Sequence, residues 1–177
     1  VTTEFWVNFN SSWTNTSGDT PGNQVLFDLH NGALTSSVGY GRLLIFATAS
    51  NDSAGVDPIR VHLASGSNVW DIGFGGSTFT TGSLKGSWNH IALSFVSSST
   101  QLEAKFYVNG NLHETETNTT IAAFGEVTGS LKARIGSGVI APSGSTLNSI
   151  SNMETNGHSP FYGSMDEFRY WKTARTH

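Results

Sequence analysis

The chain has 177 residues, 20 of them Gly, with 11 Phe, 5 Trp, no Cys and a net charge of -4. The missing thiols exclude disulfides and cysteine-ligated metals, and the scattered Lys and Arg make no basic stripe of the kind nucleic-acid binding uses. No apolar run approaches the roughly 18 residues of a membrane-spanning helix, and a chain of this length buries about 70% of its unfolded surface, enough for one domain over residues 1–177.

Strand-like alternation begins at once. Phe5, Val7 and Phe9 share one face, with Glu4, Trp6 and Asn8 on the other. A chain that opens this way without Met reads as a fragment of a larger protein. Ser11 to Asn23 is a polar loop carrying Trp13, and Val25, Phe27 and Leu29 then repeat the alternation. Leu43-Leu44-Ile45-Phe46 is apolar on both faces, as in a central strand covered on both sides. A second polar loop, Ser50 to Pro58, holds Asp52 and Asp57.

Val61 and Leu63 then oppose Arg60 and His62, and Ile72 and Phe74 follow Trp70. Ile91, Leu93 and Phe95 oppose His90, Ala92 and Ser94; Phe106 and Val108 oppose Lys105 and Tyr107. Asn109-Gly110 tolerates positive φ at both positions and predicts a tight hairpin into Leu112–Glu116. Asn31-Gly32, Gly66-Ser67-Asn68 and Gly75-Gly76 mark further turns. Ala133 and Ile135 mark a short strand, Ala141 to Pro160 is the longest loop, and Phe161–Trp171 closes the chain. Many short alternating strands, with almost no helical periodicity, predict an all-β antiparallel sandwich or barrel. Trp6, Trp70 and Trp88 are expected in or beside the core, with Trp88 and Phe161 covering its edge.

Three phrases recur in order: Trp88-Asn89-His90-Ile91-Ala92-Leu93, then Tyr107-Val108-Asn109-Gly110, then Phe161-Tyr162-Gly163-Ser164-Met165-Asp166-Glu167-Phe168-Arg169-Tyr170-Trp171. With Arg134-Ile135-Gly136 and the opening Glu4-Phe5-Trp6-Val7, the set resembles laminin-G-like domains of the concanavalin-A-like superfamily. The resemblance implies a two-sheet jelly-roll sandwich with neighbouring first and last strands. It also implies a recognition module of an extracellular, cell-surface or virion protein. Its partner would be a glycan, a surface receptor or neighbouring subunits of an assembly.

The related glucanases carry Glu-x-Asp-x-Glu or Glu-x-Asp-x-x-Glu on one strand, which sets carboxylates on one face near enough for nucleophile and acid. No such run exists here: Asp166 and Glu167 are adjacent and point to opposite faces of a strand, and Glu114 and Glu116 read as a solvated hairpin edge. No Gly-x-Ser-x-Gly elbow occurs either, so a non-enzyme is expected. Calcium is the expected cofactor, since it takes carboxylate and carbonyl oxygens. The resemblance implies Asp166 as a structural ligand, with Glu4 on the adjacent strand; Asp52 and Asp57 offer an alternative rim site. For a glycan, Asp28 and His30 share one strand face and Arg60 and His62 another. If both strands lie in one sheet, the four form a polar patch on its outer face, with Trp13 and Tyr40 in flanking loops as aromatic surface.

Overall fold

A computed structural model of the chain describes residues 1–13, 23–31, 41–48, 57–76, 78–121, 129–138 and 160–175. The strands are β1 (Thr2–Phe9), β2 (Gln24–His30), β3 (Gly41–Ala47), β4 (Ile59–Ser65), β5 (Asn68–Phe74), β6 (Asn89–Ser97), β7 (Leu102–Val108), β8 (Asn111–Asn118), β9 (Lys132–Ile135) and β10 (Gly163–Trp171). One helical turn, α1 (Thr81–Leu84), precedes β6.

They form two five-stranded antiparallel sheets, ordered β10-β1-β6-β7-β8 and β5-β4-β3-β2-β9. The expected jelly-roll sandwich is what forms, and its first and last strands pair. Alternation places Phe5, Val7 and Phe9 of β1, Ile91, Leu93 and Phe95 of β6, and Phe106 of β7 against Phe27, Leu43, Ile45, Val61, Ile72 and Phe74 of the opposite sheet. Asn109 and Gly110, at φ 51° and 81°, make the two-residue turn between β7 and β8. Side-chain interdigitation between the two inner faces is the source of the core.

Three local expectations change. A bulge between Val25 and Phe27 inserts one residue, so Leu26 and Phe27 both join the main core. Val25 leaves it for a second apolar cluster with Leu44 and Phe46. That cluster is why β3 is apolar on both faces. On β10, Glu167 takes a positive φ of 52° opposite an irregularity in the β1 register, so the adjacent Asp166 and Glu167 are both exposed. The third concerns the tryptophans. Trp6 and Trp88 are 39% and 47% exposed and lie outside the core. Phe161 does cover its edge, with its ring edge-on to Phe9 at 4.9 Å.

Candidate functional site

β2 and β4 lie in the same sheet, flanking β3. Register fixes what shares its outer face. Asp28 stands between Arg134 and Leu44, with His62 and Asp71 continuing the same row across β4 and β5. The next row holds Lys132, His30, Arg42 and Ala64, and Arg60 pairs with Phe46 on the far side. Asp28, His30, Arg60 and His62 therefore come together on one face.

This face is not a plain solvated surface. Asp28, His62, Val25, Leu44 and Phe46 are fully buried, and His30 and Arg42 nearly so. Burying a lone charge would cost several kcal/mol per ion, and the charges are paired accordingly. Arg42 donates from Nε and Nη2 to the two oxygens of Asp28, both at 2.9 Å. His62 Nδ1 meets Asp71 Oδ1 at 2.7 Å. Burial lowers the His30 pKa from its usual value and favours the neutral ring, and the nearby Asp28 opposes the shift.

Two buried atoms on β4 stand apart: Arg60 Nε and His62 Nε2 have no hydrogen-bond partner among the described residues. Buried polar atoms are paired in the great majority of cases. The face is also basic. Arg42, Arg60, Lys132 and Arg134 stand against Asp28 and Asp71, in a chain whose net charge is -4. Lys132 and Arg134 on β9 are exposed and half-exposed Arg60 lies across the sheet from them.

The remaining candidates fall elsewhere. Trp13 is in the core, 1% exposed and stacked on Phe9 at 4.4 Å between ring centres, so it offers no surface to a ligand. Tyr40 and Asp52 lie outside the described residues. Trp70 lines a cleft of about 340 Å³ at one end of the sandwich with Leu29, Leu63, Phe95 and Tyr170.

Of the carboxylates expected to hold calcium, Glu4 accepts from Trp171 Nε1 at 3.1 Å and pairs with Arg175 at 3.4 Å and Arg169 at 3.6 Å. Asp166 Oδ1 accepts the Glu167 N–H at 2.8 Å, a local turn contact. A cation at Glu4 would have to displace two arginines. Asp57 packs against Gly73, where any Cβ would fall 1.9 Å from its Oδ2. Among the described residues, no group of three His, Asp or Glu side chains is placed to hold a metal ion. Glu114 and Glu116 are half-buried rather than a solvated edge. Glu114 accepts the Gly75 N–H at 3.0 Å, and burial, with Glu114 and Asp57 nearby, raises the Glu116 pKa.

Sequence reasoning passed over Arg42, Asp71, Lys132 and Arg134. Asp71 was within reach: the two-residue turn Gly66-Ser67 puts Ser65 opposite Asn68 and, three steps out, His62 opposite Asp71. Treating Asn68 as part of the turn obscures that pairing.

No family model matches the chain, and no curated protein matches it. Among solved structures, the CBM40 module of the Ruminococcus gnavus IT-sialidase superposes with a TM-score of 0.55 at 17% identity, over 94% of this chain and 74% of that one. A structure of that sialidase's CBM40 bound to α2,6-sialyllactose gives 0.50 at 20% identity, over 93% and 73%. At these identities the likeness is one of fold: the chain is similar to these modules in its two-sheet jelly-roll sandwich.

Proposed function

We propose that this chain is a non-catalytic carbohydrate-binding module, related to the laminin-G-like domains and acting outside the cell, whose ligand is an anionic glycan met by the outer face of the β5-β4-β3-β2-β9 sheet. The observation that carries this reading is the Arg60–His62 pair of β4, with an unpartnered buried Nε and Nε2 on a face where four cations meet two carboxylates. A sugar carboxylate takes two parallel N–H bonds from a guanidinium, and Arg60 has donors to spare. Arg42 has its Nε and Nη2 bonds directed at Asp28, so its part is to brace the floor. Lys132 and Arg134 add field at the exposed edge. The shared fold supports the same reading, since one CBM40 structure holds a sialylated sugar.

Titration calorimetry with α2,6-sialyllactose, and with lactose as the uncharged comparison, tests it. Binding of the sialylated sugar, no heat with lactose, and a loss of about tenfold or more in Arg60→Ala are expected. Equal affinity for lactose, or an unchanged Arg60→Ala variant, would refute the anionic assignment.

A further inference from the structure

The outer face of the other sheet carries a second feature, independent of the first. Glu4 and Trp6 alternate outward along β1, and the register sets aromatic neighbours beside them. Trp171 of β10 lies opposite Thr2, and His90 of β6 lies opposite Trp6. Trp88 stands two residues before His90, just ahead of β6 and beyond the last β1–β6 pair, Val7 with Asn89. Trp171 on β10, Trp6 on β1 and Trp88 just before β6 therefore form an oblique row across three neighbouring strands. Because Trp171 stands opposite Thr2, the first two are offset by about 13 Å in the strand direction, at roughly 3.3 Å per residue.

All three are unusually open for tryptophan: 37%, 39% and 47% exposed. Their polar surroundings are satisfied internally. Glu4 joins Trp171, Arg169 and Arg175, and the Arg175 guanidinium sits 4.5 Å over the Trp171 ring. Lys105 pairs with Glu103 at 2.9 Å on the same side. Trp6 packs against His90 at 5.2 Å between ring centres. Charges that close on one another leave little field to attract an ion, which suits an uncharged partner.

We propose that this row is a second binding surface, for an uncharged, extended β-linked polysaccharide lying obliquely across β10, β1 and the start of β6. A pyranose ring presents C–H groups on its faces and hydroxyls at its rim. Exposed indole surface takes the former, and the Glu4, Arg169 and Arg175 groups beside Trp171 take the latter. A straight row on a sheet suits a ribbon-like chain rather than a coiled one. A protein partner would instead favour a continuous apolar centre with polar groups confined to the rim, whereas here paired charges stand beside Trp171.

The test is retention on insoluble β-1,4-glucan, read with wild type, Trp6→Ala, Trp88→Ala and Trp6→Ala/Trp171→Ala, each checked for an unchanged melting transition. Wild type is expected to be retained. Each single variant should lose about tenfold and the double variant more. Trp88→Ala keeps the test valid if removing Trp6 perturbs the sheet, because Trp88 precedes β6. Saturating α2,6-sialyllactose should not release the bound protein, and retention without any response to that sugar leaves this proposal intact while removing the other. Wild type that fails to be retained, or variants that bind as wild type, overturn it. Self-association that is lost in Trp6→Ala, without glucan retention, overturns it in favour of a second copy of the chain.

Discussion

The two outer faces of the sandwich are built on opposite plans. On the β10-β1-β6-β7-β8 sheet, large aromatics are open to solvent and the described charges close on one another in short-range pairs. On the β5-β4-β3-β2-β9 sheet, Asp28, His30, Arg42 and His62 are shielded, the charge is unbalanced toward cations, and the buried Arg60 Nε and His62 Nε2 lack partners among the described residues. Identical strand alternation underlies both. The difference teaches that alternation fixes only which side a residue faces, whereas cross-strand register decides whether that side is a solvated surface, a second apolar layer or a site.

The sharpest way to break the comparison is to remove a charge from the shielded face. Asp28→Ala removes the carboxylate that Arg42 Nε and Nη2 both reach in a buried setting and is expected to cost about 3–5 kcal/mol. The double variant Asp28→Ala/Arg42→Met should recover most of it, because an apolar pair of similar volume need not be worse than the ion pair. Denaturant melts of the three proteins measure this. An Asp28→Ala variant as stable as wild type would mean that the pair is solvated.

A smaller effect contrasts two leucines. Leu44 lies on the shielded outer face with Val25 and Phe46, so Leu44→Ala should cost about 2–4 kcal/mol, as in a core. Leu112 on β8 is 54% exposed, and Leu112→Ala should stay within about 0.5 kcal/mol. Equal costs would erase the distinction between the faces.

The smallest effect is electrostatic and lies at the rim between the sheets. The raised pKa of Glu116 means that the fold favours its protonated form. Its contribution to stability is therefore full below the ordinary glutamate value and is lost as pH rises through the folded one. Glu116→Gln should raise Tm slightly at pH 7, and the gain should vanish at about pH 4. A gain that persisted there would place its origin outside titration.

Much of the fold was legible because short alternating runs and turn residues are local signals. Phe5-Val7-Phe9, Ile91-Leu93-Phe95 and the Asn109-Gly110 hairpin are local enough to stand in the sequence as they stand in the sandwich. The doubly covered β3 was visible for the same reason. What alternation could not supply was phase across a bulge. One extra residue in β2 moved Val25 to the outer layer, and a positive φ at Glu167 set Asp166 and Glu167 both in solvent. The four polar candidates Asp28, His30, Arg60 and His62 were readable as a shared face. Arg42, the partner of Asp28, was not, because its pairing depends on the register of β2 and β3, whereas Asp71 could be counted out from the Gly66-Ser67 turn. Trp13 illustrates the limit of reading a loop from its polarity: a single aromatic in a Ser- and Asn-rich stretch stacks on Phe9 inside the core. Trp6 shows the converse, an indole amid alternating hydrophobics that faces outward.

The most direct test of the account follows backbone amide shifts while α2,6-sialyllactose is added to the labelled protein. The prediction is a set of shifts confined to β2, β3, β4 and β9, centred on Arg60 and His62, with Trp6, His90 and Trp171 unmoved. Shifts centred on those three residues of the other sheet, with β4 silent, would contradict it.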